Sequence, residues 1–544
     1  MDTKILKISD PAACRAKVEE AAALLRAGEV VAIPTETVYG LAADAFNPAA
    51  VKKIFEAKGR PQDNPLIVHL ADARQLESVA REIPEAARRL YARFSPGPLT
   101  VILPKRDTVP DAVSAGLDTV AIRIPSHPVA NSIIRAAGVP LAAPSANLSG
   151  FPSPTGVTDV LDDMTGRVSA IVDGGDSECG IESTVVSLAV SPPRLLRPGV
   201  ITAEQLREEL PDLVIDDAVL HPMKAGESAA SPGMKYKHYA PKAQISIVRG
   251  GQKEFFRYAA AHKNEADTLL VFEEDLPLCP IRAVAMGKEN EPLTQTARLF
   301  TALRELDKMG ARTVFARSPA PVGVGLGVCN RLYRAAGFRF LNDGPKILGV
   351  CGQTGAGKST VCALLREKGM EIVDTDLLAR RIVEPGSPVL QTLAEAFGED
   401  ILLPNGSLDR KALAAKAFAS PEQAKKLSGV THPAICSLAL AQAEEAKRQG
   451  RWAVIDAPLL FSAGLDRYCD LTVKVTAPEE ARLRRIMARD GIAEEAARSR
   501  IAVQAEEDSL SENADHIIEN VIPAETERRV EELLLQFGFR NSEF

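Results

Sequence analysis

The chain predicts an α/β multidomain protein: a mixed α/β domain, a small α/β domain and a P-loop domain with a parallel, doubly wound sheet. Three observations predict it. At 544 residues the chain exceeds what one hydrophobic core organises. Short β-rich runs alternate with helical segments along its length, and in the last third strands separated by helices imply parallel pairing. Finally, the apolar run Ile347–Cys351 leads directly into Gly352-Gln-Thr-Gly-Ala-Gly-Lys358-Ser359, the strand, glycine loop and helix order of a phosphate-binding unit.

Residues 1–210 carry strand-like runs at Glu29–Ile33, Leu66–Leu70, Leu99–Leu103, Val120–Ile124 and Thr184–Leu188, with helical segments between them. Residues 211–242 form a linker, expected as a loop, because Ala229-Ala-Ser-Pro-Gly-Met-Lys-Tyr-Lys-His-Tyr-Ala-Pro241 breaks any regular element. Residues 243–342 alternate strand, helix and strand at Ile245–Val248, Thr294–Lys308 and Thr313–Ala316. A turn-rich Gly323-Val-Gly-Leu-Gly327 then precedes a helix bearing Asn330 and Arg331. Turn formers Asn342-Asp-Gly-Pro345 open the last block, 345–544, with strands at Glu371–Val373, Trp452–Ile455 and Leu471–Val475 and a helix Thr360–Lys368 after the glycine loop.

Composition narrows the class. Hydrophobic content of 46% and charged content of 25% are those of an ordinary globular protein. No window approaches the roughly 18 apolar residues of a membrane span, and Met1-Asp-Thr-Lys opens no signal-peptide core, so no membrane is expected and the cytoplasm is the default. Eight cysteines stand singly without zinc-type pairing and read as reduced thiols. A net charge of −7 argues against stable nonspecific nucleic-acid binding.

In the glycine loop, Gly352, Gly355, Ala356 and Gly357 let backbone amides curl around phosphate. Lys358 reaches the terminal phosphates, the Ser359 hydroxyl ligates Mg2+, and Thr360 continues the helix. No Asn-Lys-x-Asp segment reads guanine, which leaves ATP. Asp374-Thr-Asp376 ends a strand at the edge where such sheets bind ligands, so Asp376 is the candidate base for an acceptor hydroxyl; the alternative is that Asp374 or Asp376 caps the next helix. Arg485 and Arg489, four apart, share one helical face suited to a phosphate-clamping lid, or to solvent. Together these are the parts of a small-molecule kinase.

Beyond the loop, Asp374-x-Asp376-x-x-Ala379-Arg380, Glu384-Pro-Gly386, Leu408-Asp-Arg410, His432-Pro433, Asp456-Ala-Pro458-Leu-Leu-Phe461, Arg485 with Arg489-Asp490, Gln504 and Ala514-Asp515 through Asn520 follow in an order and spacing that resemble dephospho-coenzyme A kinase over the whole block. The resemblance implies transfer of the ATP γ-phosphate to the ribose 3′-hydroxyl of dephospho-coenzyme A, with Asp376 as base and Arg380, Arg410 and His432 near the acceptor. His432 otherwise reads as a turn residue before proline. The chain departs from the family at Ser462, where Glu is usual, and at Ala481, where Gln is common.

The first domain lacks a P-loop but pairs small polar residues with cations at strand ends, as a polyanion requires. Singly these are ordinary surface and turn residues. Together, Pro34-Thr-Glu-Thr-Val-Tyr39-Gly40, Lys58-x-Arg60-Pro61, Pro96-Gly-Pro98-Leu-Thr100, Ser145-Ala-Asn147-Leu-Ser149-Gly150 and Gly180-Ile-Glu-Ser183-Thr184 resemble L-threonylcarbamoyladenylate synthase. Pro232-Gly-Met-Lys-Tyr236-Lys-His238-Tyr239 and Gly325-Leu-Gly327-x-x-Asn330-Arg331 extend the resemblance to the longer two-domain form, about residues 1–342.

That family condenses threonine, bicarbonate and ATP to threonylcarbamoyl-AMP and pyrophosphate for a tRNA adenosine that other proteins modify, an indirect link to tRNA-modifying partners. The resemblance implies Lys58, Arg60, Asn64, Thr119, Ser145, Asn147, Ser153, Arg197 and Tyr236 on the nucleotide side, with Lys58 and Arg60 neutralising the triphosphate. It implies Arg123 on the threonine carboxylate, and Thr35 or Thr37, His69, the Ala143 backbone and Ser183 on its other polar groups. His69 otherwise reads as a satisfied core histidine. Tyr236, Lys237 and His238 are candidates for a lid. The competing reading of this half is an RNA-binding module or scaffold beside an active kinase.

Overall fold

The computed structural model describes residues 2–62, 64–222, 239–342, 344–502 and 509–539. It divides into two units, residues 1–342 and 343–544. Tyr236, Lys237, His238 and Gln504 lie outside the described residues.

Apolar β-branched runs of the first unit join one 11-stranded mixed sheet with Lys4–Lys7 and Val214–Ile215 at its edges. Its register does much of the site building. Ile67–His69 runs parallel to Thr119–Arg123 with His69 opposite Arg123, and Leu99–Pro104 runs antiparallel to Thr119–Arg123 with Thr100 opposite Arg123. Opposed residues project to one face, so three side chains from distant sequence stand in one row. The helix Pro48–Lys58 buries Ala50, Val51, Ile54 and Phe55 at helical spacing, starts on an Asn47 cap that accepts from the Ala49 and Ala50 amides, and stops at Gly59 in the left-handed region (φ 62°). That stop sets Lys58 inward and Arg60 beyond the turn.

The same unit holds a second, all-parallel sheet in the order Ala283–Ala285, Thr268–Val271, Thr313–Arg317, Gln244–Val248, Phe340–Leu341. The first two strands and the helix Gln252–Ala261 were not distinguished in the sequence, where they are short and flanked by mixed polar residues. Two expectations need correction. Residues 211–242 are not loop throughout, because Val214–Ile215 pairs with Arg194–Leu195 and the turn Asp217–Val219 buries Ala218 and Val219. Also, Gly325 and Gly327 belong to the helix Gly325–Ala335, whose every residue is buried; their lack of a Cβ lets that helix sit close to its surroundings.

In the second unit five parallel strands run Glu371–Asp374, Ala453–Asp456, Ile347–Cys351, Leu471–Thr476, His516–Glu519. Alternate residues face opposite layers: Leu348 and Val350 pack with the helices Lys358–Glu367 and Pro523–Gln536, whereas Ile347 and Cys351 pack with Pro421–Arg448. The last strand escaped the sequence reading because only Ile518 of it is buried. His432-Pro433 is no turn; it lies inside the 28-residue helix Pro421–Arg448, which loses one backbone bond at Pro433 but anchors itself through Ala439, Ala443 and Ala446. All eight cysteines are free. Among the described residues no helix is long and apolar enough to cross a membrane.

Candidate active sites

A cavity of about 70 Å³ in the first unit is lined by Thr35, Thr37, Lys58, Arg60, His69, Arg123, Ala143, Ser145, Asn147, Ser183 and Arg197, all of them residues singled out from the sequence. Of the row set by strand register, His69 and Arg123 line it. Arg123 donates to the Thr37 hydroxyl at 2.8 Å and pairs with Glu36 at 2.8 Å, and Thr37 in turn meets Thr35 at 2.9 Å. Both members of the Arg123–Glu36 pair are buried. Burial works to raise the Glu36 carboxyl, but the Arg123 charge and hydrogen bonds outweigh it and hold the group below its ordinary value. Burial, with Arg123 adding, pushes His69 down to about 3. A neutral ring whose Nδ1 lies 3.2 Å from the Ile67 carbonyl donates there and leaves Nε2 as an acceptor. His69 is therefore buried, as a core histidine would be, and lines the cavity as well.

In the same cavity, Lys58 Nζ is buried and donates to the Ser145 carbonyl and to the Asn147 carbonyl at 2.8 Å. Burial and the adjacent Arg60 push the ammonium well below its ordinary value, a cost that an incoming polyanion relieves. Arg197 bonds the Ser183 carbonyl and hydroxyl at 3.0 and 3.1 Å, and Ser183 meets Thr100 at 2.7 Å. Asn64 is buried with neither amide atom hydrogen-bonded and is not among the lining residues.

Two further candidates stand apart. Ser153 is fully buried and donates to Glu182 at 2.5 Å, and Thr119 sits at the far end of its strand from Arg123, outside the cavity lining. The sequence reading did not single out Glu36, Glu182 and Tyr239 as site residues, although all three lie within its quoted motifs. Glu182 and Tyr239 line the cavity, and Glu36 pairs with a lining residue. An acidic residue between two threonines beside a fixed cation was the available signal for Glu36.

The second unit opens a cavity of about 1070 Å³ whose lining includes Gly352, Gly355, Gly357, Lys358, Ser359, Thr360, Asp376, His432, Arg485 and Arg489. Gly355 and Gly357 take φ of 81° and 94°, which aims successive amides at one point. Ala356 is buried beneath them. Lys358 pairs with Asp456, which the sequence reading quoted but did not place in the site. Arg485 reaches the Gly355 and Ala356 carbonyls at 3.2 and 3.1 Å, while Arg489 pairs with Asp490 at 2.8 Å.

Both aspartates line the cavity, but Asp374 is also the cap, accepting from the Asp376 and Leu377 amides at 2.8 and 3.1 Å, whereas Asp376 takes no part in the cap. Partial desolvation raises the Asp376 carboxyl; Lys358 opposes, and Asp374 and Asp456 add to the rise. His432 is half-buried and lowered by burial. Arg380 and Arg410 are exposed and do not line this cavity. Ser462 lines it, and Ala481 does not.

Both units resemble known proteins. A family model described as telomere recombination (Sua5/YciO/YrdC) matches residues 23–199, one described as threonylcarbamoyl-AMP synthase, C-terminal domain, matches 201–337, and one described as dephospho-CoA kinase matches 346–524. The chain is 46% identical over 343 residues to the threonylcarbamoyl-AMP synthase of Bacillus subtilis, covering 62% of this chain and 97% of that one. It is 49% identical over 174 residues to the dephospho-CoA kinase of Corynebacterium glutamicum, covering 32% of this chain and 87% of that one. A crystal structure of Pyrococcus abyssi Sua5 complexed with L-threonine is similar with a TM-score of 0.58 and 41% identity, covering 63% of this chain and 99% of that one.

Proposed function

The chain belongs to the threonylcarbamoyl-AMP synthase family through residues 23–337 and to the dephospho-CoA kinase family through residues 346–524, and from that premise we propose a bifunctional enzyme. Its first unit makes threonylcarbamoyl-AMP and pyrophosphate from threonine, bicarbonate and ATP, a nucleotidyl transfer that supplies tRNA modification. Its second unit phosphorylates the ribose 3′-hydroxyl of dephospho-coenzyme A.

The observation that carries the synthase reading is that one small cavity gathers Arg123 with the Thr35–Thr37 pair and the cations Lys58, Arg60 and Arg197. Arg123 and the Thr35–Thr37 pair suit the threonine carboxylate and hydroxyl, and the His69 Nε2 lone pair accepts from an N–H or O–H of the same substrate. Lys58, Arg60 and Arg197 neutralise the triphosphate while the threonine carbamate attacks the α-phosphorus and pyrophosphate leaves. No strong side-chain nucleophile is needed, because threonine supplies it and the cavity supplies orientation.

In the kinase, Asp376 takes the proton of the acceptor hydroxyl, and its raised carboxyl makes it a better base than an ordinary aspartate. Lys358 leaves Asp456 for the transferring phosphate, and Arg485 braces the loop carbonyls. Magnesium fits the donors present: the Ser359 hydroxyl and the Asp456 carboxylate are hard oxygen ligands beside the phosphate loop, and no cluster of three His, Cys, Asp or Glu forms a dedicated cage among the described residues. Mg2+ is characteristically held by one or two protein oxygens plus phosphates, and bound there it would neutralise charge on the transferring group.

The test is a product mass spectrum after incubating the purified chain with magnesium-ATP, threonine, bicarbonate and dephospho-coenzyme A. Threonylcarbamoyl-AMP together with coenzyme A is the expected result; loss of either product refutes the corresponding half.

A further inference from the structure

In the first unit, the second sheet's domain packs against segments that carry lining residues of the first domain's cavity. Ile181 and Val38, the neighbours of Glu182 and of Thr37, are buried in the apolar cluster built by Leu299, Phe300, Val328 and Leu332 of that second domain. Gly180 (φ 73°) lies so close to the helix Pro292–Lys308 that a Cβ would meet the Thr296 carbonyl and stand 2.5 Å from Ala297 Cα. On the other side, a Cβ at Gly327 would come within 3.3 Å of Gly199. The loop Gly180–Ser183 is thus held between two helices of the second domain.

At the centre of this contact is Arg331, a fully buried guanidinium on the helix Gly325–Ala335. Nε donates to the Glu182 carboxylate at 3.0 Å, Nη2 to the Glu182 carbonyl at 3.0 Å, and Nη1 to the Pro198 carbonyl and to Asn330 Oδ1 at 3.2 Å. Its targets adjoin Ser183 on one side and Arg197 on the other, and those two residues bond each other across the cavity wall. The second Glu182 oxygen accepts from Ser153. Burial works to raise the Glu182 carboxyl, while Arg331, then Arg197 and Ser153, hold it low.

We propose that Arg331 is a positioning residue for the synthase reaction: one guanidinium from the second domain, working through Glu182 and the Pro198 carbonyl, sets Ser183 and Arg197 at the substrate distance. This rests on the synthase reading above. Lysine cannot reproduce the fork, since a point ammonium cannot serve both the Glu182 and Pro198 sides in one geometry.

The experiment uses the full chain, with kinase turnover as an internal count of intact protein and melting curves taken alongside. Arg331→Lys, Glu182→Gln and the double variant Arg331→Met with Glu182→Gln, which leaves no unpaired buried carboxylate, are assayed at 25 °C below all melting transitions. Small displacements of positioning groups cost one to two powers of ten, so Arg331→Lys should lower synthase kcat about tenfold or more while kinase turnover holds. The double variant should lose no more than Glu182→Gln alone. A synthase kcat within twofold of wild type for Arg331→Lys, with only the melting temperature lowered, overturns the proposal, as do losses that multiply in the double variant. A wild-type chain that makes coenzyme A but no threonylcarbamoyl-AMP overturns the synthase reading itself.

Discussion

Replacing Asp376 by Asn should separate its role from that of Asp374, two residues away. Both carboxylates line the kinase cavity, but Asp376 receives no cap hydrogen bonds, whereas Asp374 holds the first turn of the helix Thr375–Arg381 through two amides. Loss of a general base costs about 10² to 10⁴ in rate, and at about 1.4 kcal/mol per tenfold this is about 3 to 5.5 kcal/mol of transition-state stabilisation. Loss of a cap costs about 1 kcal/mol of stability and little chemistry. Asp376→Asn should therefore retain its melting curve and lose at least a hundredfold in kcat for coenzyme A formation, followed by coupled ADP release. Asp374→Ala should do the reverse, with a lower melting temperature and a kcat within about tenfold. Because desolvation raises the Asp376 carboxyl, the base is protonated at a higher pH than an ordinary aspartate, so the acid limb of wild-type kcat/KM should fall above pH 3.8 and vanish in Asp376→Asn. An Asn variant with more than a tenth of wild-type turnover, or an unchanged acid limb, refutes Asp376 as the base.

Gly357→Ala would drive a Cβ into the Asn520 amide at a φ of 94°, so ATP-dependent coenzyme A formation should be abolished while threonylcarbamoyl-AMP synthesis by the same preparation continues; equal loss of both refutes independent ATP sites. Glu36→Gln strips a buried guanidinium of its counter-charge and should destabilise the first unit by about 3 kcal/mol or more, read as an earlier first-unit transition in denaturant; an unchanged midpoint refutes it. His69 has a folded value of about 3 against an ordinary 6.5, so the unfolded chain takes up a proton that the folded chain refuses. Stability should then fall as pH drops through that window by up to about 1.4 kcal/mol per pH unit, and His69→Gln should flatten the slope in melts between pH 6.5 and 4.5; an unaltered slope assigns the acid sensitivity elsewhere.

What the sequence determined by itself was chemistry carried by contiguous residues. The P-loop is legible because strand, glycine turn, Lys358 and helix are consecutive, so local backbone geometry alone assembles the phosphate cradle. Four of the five strands of the second unit's parallel sheet are equally legible from apolar runs spaced by helices; His516–Glu519, with only Ile518 buried, is not. Tertiary structure decided the rest, for three physical reasons. Two aspartates with one propensity divide their labour only when the strand end commits Asp374 to the cap and leaves the Asp376 side chain out of it. Thr100, His69 and Arg123 become neighbours only through strand register, which no single segment encodes. Buried charges such as Glu36, Glu182 and Arg331 look like surface residues in sequence; their pairing appears only once the tertiary fold has removed them from water, and there each charge depends on a partner that can be 149 positions away.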